Sequence, residues 1–230
     1  MREAPALSRR ALLAAGATLA AGTLVGFGPG VAQAKPAGRS ALIVVDVQKD
    51  FCEQGALPVA GGTAVARRIS RWIRDHRTEY DMIVATRDWH VDPGAHFSQT
   101  PDYVNSWPVH CQAGSVGAQF HPALDTHVDF TSTLDAVVSK GQYSGAYSGF
   151  EGTTKDGRTL DQVLRSRRIA RLDIVGLATD YCVRATALDG RRLGYRERLL
   201  TPMCAGVSDA GEISAIQDMS DAGVQLIDQP

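Results

Sequence analysis

The segment from Arg87 to Cys111 concentrates candidate metal ligands on one stretch of chain. It begins "RDWH", ends "WPVHC", and holds three of the six histidines together with an aspartate: Asp88, His90, His96 and His110. The segment shows neither helical nor strand periodicity. A structureless connection of this length in a compact domain is usually functional or disordered. We therefore asked which chemistry these side chains serve.

A second set of reactive side chains stands where predicted strands end. Asp46, Asp88 and Lys140 each end a predicted strand, and Cys182 lies just past a fourth. Each residue alone is commonly a cap, a surface charge or buried filler. In a parallel sheet, however, ligands bind outside the carboxyl ends of the strands. A helix amino terminus and an ammonium would favour a thiolate, and a carboxylate can accept its proton. The joint pattern predicts a cysteine nucleophile.

The elements that must position these side chains alternate between strands and helices. Short apolar runs predict buried strands at residues 41–46, 81–88, 134–141, 171–178, 197–202 and 224–228. Helical spacing predicts helices at residues 63–77, 159–167, 180–194 and 212–223. Alternation of this kind implies right-handed crossovers. We therefore expect a single α/β domain with a mainly parallel central sheet of about six strands and helices on both faces.

The first 34 residues have the layout of a signal peptide. Arg9 and Arg10 precede an apolar run rich in small residues, and the run ends at Ala34 in an A-x-A pattern. The stretch "SRRALL" resembles a twin-arginine export signal. The alternative is a membrane anchor, against which the glycines and Pro29 of the run count. We expect residues 1–34 to be removed and residues 35–230 to form an exported domain, periplasmic or extracellular.

Composition excludes several classes of protein. The formal net charge is −1 and no basic run occurs after residue 34, so nothing favours a nucleic-acid partner. No later apolar stretch is long enough to cross a bilayer, which predicts no membrane association after signal cleavage. No glycine-rich phosphate loop follows the first strand, which argues against a nucleotide enzyme. The pairing of the four cysteines and the oligomeric state stay open.

Five segments together resemble the nicotinamidase/pyrazinamidase branch of the isochorismatase-like cysteine hydrolases. They are "ALIVVDVQKDFCEQGALPV", "VATRDWHVDPGAHF", "TPDYVNSWPVHC", "SKGQYSGAYSGFEG" and "VGLATDYCVRATALD". The resemblance implies hydrolysis of a small carboxamide, nicotinamide to nicotinate and ammonia, with pyrazinamide to pyrazinoate as a second reaction. It implies an acyl-thioester on Cys182, with Asp46 as the proton acceptor and Lys140 as its companion cation.

The resemblance also assigns the histidine-rich segment. The family pattern D-x-H-x5-H, followed by a histidine after W-P, is met by Asp88, His90, His96 and His110. One carboxylate and three imidazoles suit one divalent transition metal, which is zinc, iron(II) or manganese, whereas calcium prefers oxygen ligands. His121 matches no ligand position of the family and is expected at the surface.

A substrate wall and an oxyanion hole follow by position. Phe51 and Trp107 would sandwich a flat pyridine ring. Other apolar and aromatic residues would complete the wall: Leu57, Val59, Tyr147 and Leu177. The resemblance places the oxyanion donors at the backbone N–H groups of Ala178 and Cys182, after a cis peptide between Leu177 and Ala178. One departure is visible, since Tyr181 stands where many relatives have histidine.

Two other functions compete with this interpretation. Another branch of the superfamily, an isochorismatase or a carbamoyl-amide hydrolase, would share the fold and the Cys182 set. Those branches generally lack the D-x-H-x5-H pattern that this chain contains. An exported metal-binding protein without catalysis is the second alternative. The complete set of Asp46, Lys140 and Cys182 counts against it.

Overall fold

Six parallel strands form the centre of the computed structural model, which describes residues 38–229. The strands are β1 (Arg39–Val45), β2 (Met82–Asp88), β3 (Ala136–Lys140), β4 (Ile169–Leu177), β5 (Arg196–Ala205) and β6 (Gln225–Ile227). Their order across the sheet is β3-β2-β1-β4-β5-β6, and every neighbouring pair is parallel. The predicted six-stranded α/β sheet is confirmed. The predicted signal peptide, residues 1–34, lies outside the described residues.

Helices connect the strands. They are α1 (Gly62–His76), α2 (Phe130–Thr133), α3 (Leu160–Ser166), α4 (Arg184–Arg192) and α5 (Asp209–Asp221). The sequence did not predict the single turn α2. The helix expected from residue 180 instead begins with a π-helical turn, Thr179–Val183, ahead of α4. The helix predicted to start at Thr159 is capped there, because the Thr159 hydroxyl accepts from Gln162 N and the Gln162 side chain accepts from Thr159 N.

The core lies on both faces of the sheet because side chains alternate along each strand. Leu42 and Val44 of β1 belong to the cluster that contains residues of α1. Ile43 and Val45 belong to the opposite cluster, with residues of α3, α4 and α5. A strand covered on both faces needs an unbroken apolar run, which is what β1 has. Within residues 38–229, no helix has the length and apolar character to cross a membrane.

Candidate active site

Four reactive side chains meet at the carboxyl edge of the sheet. Asp46 directly follows β1, while Asp88 and Lys140 are the last residues of β2 and β3 and are register partners. Lys140 Nζ lies 2.9 Å from Asp46 Oδ2 and 3.5 Å from Cys182 Sγ. It also donates to Asp88 Oδ1 and, at 3.1 Å, to the carbonyl of Ala146. The predicted convergence at one edge is therefore present in the structure.

Asp46 has a regular hydrogen bond at one oxygen and an ion pair with Lys140 at the other. Thr86 Oγ1 donates to Asp46 Oδ1 at 2.6 Å. Oδ2 faces the ammonium of Lys140, but among the described residues it makes no hydrogen bond of regular geometry. The backbone of Asp46 has a φ of 48°, a conformation that costs a non-glycine residue about 1–2 kcal/mol. Such residues cluster at functional sites.

The surroundings keep the Cys182 thiol protonated. Burial raises the pKa of Cys182 well above its ordinary value, Lys140 opposes this, and the carboxylates of Asp46 and Asp88 add to it. The expected bias towards a thiolate is therefore wrong for this cluster, because burial and two carboxylates outweigh one ammonium. Burial, with Asp88, also raises the pKa of Asp46 against the effect of Lys140. A base must remove the thiol proton, and Asp46 has a raised proton affinity.

The other two charges of the cluster stay ionised. Burial lowers the pKa of Lys140, but Asp46 and Asp88 outweigh it and hold that pKa well above its ordinary value. Burial raises the pKa of Asp88, but Lys140, His110 and His90 outweigh it and hold that pKa well below its ordinary value. Asp88 thus serves two groups at once, since Oδ1 faces Lys140 and Oδ2 faces the histidines.

The three histidines of the long loop converge beside Asp88. One ligand atom from each of His90, His96 and His110 lies within 4.8 Å of the other two. Asp88 Oδ2 is 3.5 Å from His90 Nε2 and 3.8 Å from His110 Nε2. Burial and the two neighbouring imidazoles lower the pKa of His96 to about 4, which keeps its ring neutral, as a metal ligand requires.

The second ring nitrogens orient two of these rings. His90 Nδ1 lies 2.6 Å from the carbonyl of Gly141, and His110 Nδ1 lies 2.8 Å from that of Pro108. A proton donated from Nδ1 leaves Nε2 as an acceptor or a metal ligand. His90 Nε2 is buried and has no hydrogen-bond partner among the described residues. The donor set therefore fits a metal ion, which would satisfy that atom. Gly141 itself must be glycine, since a Cβ there would approach His90 Cε1 to 2.6 Å.

A small, partly open cavity lies between the thiol and the histidines. Five residues of the predicted substrate wall line it: Phe51, Leu57, Val59, Trp107 and Tyr147. Asp88, His96, His110 and Cys182 also border the cavity, so the candidate nucleophile and the candidate metal ligands share one space. Phe51 and Trp107 are nearly fully buried, which keeps their rings from turning away from the cavity.

The isochorismatase-domain family profile matches residues 40–230 of the chain. The chain belongs to the isochorismatase family. This confirms the resemblance found in the sequence, and the match covers nearly all the residues that the structure describes.

Within this family the chain is similar to proteins that act on pyridine and pyrazine carboxamides. It is 51% identical to a nicotinamidase/pyrazinamidase of Mycobacterium tuberculosis over 81% of this chain and 97% of that protein. The solved structure of a Pyrococcus horikoshii pyrazinamidase in complex with zinc has a TM-score of 0.71 at 37% identity, covering 82% of this chain and 98% of that one. The PnC1 protein of L. infantum in complex with nicotinate has a TM-score of 0.70 at 33% identity, covering 83% and 92%.

One predicted pocket residue of this isochorismatase-family chain does not line the cavity. Leu177 is fully buried in the core cluster on the α1 face and is absent from the cavity wall. It shares that face with Val175 because side chains alternate along β4. The predicted contact of Leu177 with the substrate therefore stays a prediction, and its side chain does not line the cavity. Ala178 does border the cavity, and the peptide bond before it is cis, as the resemblance implied.

Several positioning residues escaped the sequence interpretation. Gln48 is buried and clamps the backbone of Asp88, since its Nε2 donates to the Asp88 carbonyl at 2.9 Å and its Oε1 accepts from Asp88 N at 2.8 Å. Thr86 interrupts an apolar strand beside Asp46, a signal that could have identified it. Val207 also lines the cavity, next to the Tyr181 already noted in the sequence, and no local pattern indicates its place there.

Proposed function

We propose that the chain hydrolyses nicotinamide to nicotinate and ammonia, and pyrazinamide to pyrazinoate. The observation that carries this proposal is the single cavity bordered by a buried cysteine, by two histidines of the three-histidine cluster, and by two nearly buried aromatic rings. A flat heteroaromatic carboxamide matches all three features. It offers faces to Phe51 and Trp107, a ring nitrogen to the histidine side, and an amide carbon to Cys182. The names of the similar proteins support the same substrates.

The cysteine set supplies the covalent chemistry in this proposal. Asp46 takes the proton of the Cys182 thiol, and the sulfur attacks the amide carbon. The carbonyl oxygen becomes an oxyanion, for which the backbone N–H groups of Ala178 and Cys182 would be the donors. The C–N bond then breaks, and Asp46 returns its proton to the departing nitrogen as ammonia forms. Water, deprotonated by Asp46, releases the acid from the thioester and restores the thiol. Lys140 stabilises Asp46 in those steps in which its carboxylate is ionised.

One divalent transition metal fits beside this set. His90, His96 and His110 would hold it together with Asp88, whose Oδ2 faces the histidines while Oδ1 faces Lys140. When bound, the ion would supply a Lewis acid for the ring nitrogen of the substrate. Zinc, iron(II) and manganese all suit these ligands, and zinc is the metal of the Pyrococcus horikoshii structure. Asp88 is buried between the histidines and Lys140. Binding of the metal ion would therefore be coupled to the charge of Lys140.

The direct test of the proposal is product analysis. Purified protein should release ammonia and nicotinate in equal amounts from nicotinamide, and Cys182→Ala should release neither. Cys204→Ala is the matched control, because Cys204 is also buried but lies in β5 away from the cavity. Ammonia release by Cys182→Ala at the wild-type rate would refute the nucleophile. Tight metal and nicotinamide binding without any ammonia would favour the non-catalytic binding protein instead.

The metal proposal has its own readout. Elemental analysis should find one equivalent of transition metal in the purified protein and far less in His96→Ala. His127→Ala is the control, because His127 lies outside the histidine cluster and contacts Arg74 at the surface. Equal metal content in both variants would contradict the assignment of His96.

We also propose that residues 1–34 direct export by the twin-arginine route. That route carries folded proteins, and a metal site exists only in the folded chain. Replacing Arg9 and Arg10 with lysine should retain full-length active protein in the cell, whereas the wild type should appear outside it, processed near Ala34. Cell fractionation and amino-terminal sequencing of both proteins are the measurement. Equal export of the wild type and the lysine variant would refute the twin-arginine route.

A further inference from the structure

Tyr181 separates the candidate substrate cavity from a neighbouring surface groove. The groove runs past Arg184 and Leu188. Among the described residues that line the cavity, Tyr147 and Tyr181 alone also line the groove. These two tyrosines are therefore the partition between the two spaces. Removing one of them would extend the cavity into the groove.

The Tyr181 ring braces both aromatic neighbours. Its centroid is 4.9 Å from that of Trp107, with the rings almost perpendicular at 89°. It is 5.8 Å from the Tyr147 ring, which is tilted by 33°. Edge-to-face contacts of this kind contribute about 0.5–1.5 kcal/mol beyond the buried area. The side of the cavity is thus closed by a packed aromatic cluster.

The Tyr181 hydroxyl also makes a hydrogen bond to the adjoining turn. It donates to the carbonyl of Tyr103 at 3.2 Å. That turn has internal support, because Asp102 Oδ1 accepts the backbone N–H groups of Val104, Asn105 and Ser106 at 3.0, 2.8 and 2.8 Å.

The turn leads directly into Trp107. A hydrogen bond to Tyr147 also holds Trp107 in place. Trp107 Nε1 donates to the Tyr147 hydroxyl at 3.0 Å, and this hydroxyl faces the Val104 carbonyl at 3.5 Å. Tyr181 therefore holds a preformed turn, and through it the Trp107 ring, against the cavity.

We propose that Tyr181 is a specificity-determining residue that limits the acyl group of the substrate to a single planar ring. The proposal rests on the proposed function for the identity of that ring. In a pyridine-3-carboxamide whose positions 1 and 3 face the histidines and the thiol, position 5 points in a third direction, and the proposal places the Tyr181 side of the cavity there. A bulky group at position 5 would have to displace the Tyr181 ring and break its contacts with Trp107 and Tyr103.

The test compares the binding of nicotinate and 5-phenylnicotinate to the metal-loaded protein by calorimetry. Wild type should strongly prefer nicotinate. Tyr181→Ala should shift the ratio of the two affinities towards 5-phenylnicotinate by at least about tenfold, the size of effect that pocket shape commonly has. Tyr181→Phe keeps the ring and should keep the ratio, while raising KM for nicotinamide because the turn loses a hydrogen bond. Tyr143→Ala, at a tyrosine that is 75% exposed and lines neither space, should change nothing.

The outcomes separate this proposal from the proposed function. Equal binding of both acids by wild type, or an unchanged ratio in Tyr181→Ala, would overturn the role of Tyr181. If Tyr181→Ala does not fold, Tyr181→Leu decides, with the same shift expected at a smaller size and its absence overturning the proposal. Discrimination in binding without ammonia release from nicotinamide would overturn the proposed function and leave the role of Tyr181 supported. Failure of wild type to bind either acid, together with no ammonia release from nicotinamide, would overturn both.

Discussion

Two fully buried aspartates on neighbouring strands have opposite surroundings. Asp173, within β4, has partners at both oxygens: Arg198 Nε donates to Oδ1 at 2.7 Å, and the Tyr80 hydroxyl donates to Oδ2 at 2.8 Å. Trp72 Nε1 in turn donates to the Tyr80 hydroxyl at 2.9 Å. Asp46, after β1, has one regular hydrogen bond and an oxygen left facing an ammonium and a thiol. Both oxygens of Asp173 accept hydrogen bonds, whereas at Asp46 only Oδ1 does, and Oδ2 has the Lys140 ammonium as its ion-pair partner.

This difference separates scaffold from reaction centre. A buried polar network in which every group is paired rigidifies the fold. A buried acceptor that is left open costs free energy, and such groups in native structures call for an explanation. At Asp46 the explanation is that Oδ2, which lacks a regular hydrogen bond, can receive a proton. The raised pKa of Asp46 agrees, because it shows that burial disfavours the ionised form.

Asp46→Asn gives the largest expected effect. This substitution should lower activity without lowering stability. An amide cannot accept the thiol proton, so kcat for nicotinamide should drop by about 10²–10⁴-fold. Stability in urea should stay level or rise, because the ionised carboxylate is disfavoured in the fold and Lys140 keeps Asp88 as its partner. A variant that keeps its kcat would contradict the role of Asp46 as the base.

Asp173→Asn should have the opposite effect, lowering stability without lowering activity. Loss of the carboxylate leaves the Arg198 guanidinium without its buried partner, which should lower the free energy of unfolding by about 3 kcal/mol. The kcat of the folded fraction should not change. Asp75→Asn is the control, since the Asp75–Arg74 pair is half-exposed and screened by solvent, so its loss should change stability little. A kcat for Asp173→Asn as low as that of Asp46→Asn would erase the distinction between the two networks.

Glu197 is a third buried carboxyl and extends the comparison. It is 3% exposed, neither of its oxygens has a hydrogen-bond partner among the described residues, and it packs against Gly190 of α4. Burial raises its pKa from the ordinary 4.5 to about 9, Arg191 opposes this, and Asp189 adds to it. The folded state therefore keeps a proton that the unfolded chain loses above pH 4.5.

The sign of the pH dependence follows. Between about pH 4.5 and 9 the folded state binds more protons, so this group makes stability fall as pH rises, by up to about 1.4 kcal/mol per pH unit. Glu197→Gln removes that loss, and its stability relative to wild type should be greater at pH 8 than at pH 5. Glu79→Gln, at a glutamate whose side chain is 54% exposed, is the control. Parallel pH profiles for wild type and Glu197→Gln would mean that Glu197 is ionised in the fold.

The sequence predicted those parts of the site that follow from strand ends. Asp88 and Lys140 had to be neighbours once β2 and β3 paired in parallel, and the observed register pairs them directly. The histidines were found by their spacing. Glu197 escaped attention because one charged residue in a strand usually faces solvent, and only the approach of Gly190 encloses it.

Contacts between distant loops lay beyond the sequence. The bond from Tyr181 to the Tyr103 carbonyl joins residues 78 positions apart, and its geometry depends on how the turn folds around Asp102. The sequence did not show which way the Leu177 side chain points, for a related reason. Both faces of β4 are buried, so the apolar run does not show which residues face the cavity.

Trapping of the acyl group tests the central claim, catalysis through a thioester on Cys182, most directly. Hydroxylamine should intercept the intermediate, and the ratio of nicotinohydroxamate to nicotinate should be the same whether the substrate is nicotinamide or methyl nicotinate, because both would pass through one nicotinoyl-Cys182 species. Peptide mapping after rapid quenching should find that group on Cys182. Ratios that differ between the two substrates, or nicotinate formed without any hydroxamate, would show that water attacks the amide directly and would contradict the thioester.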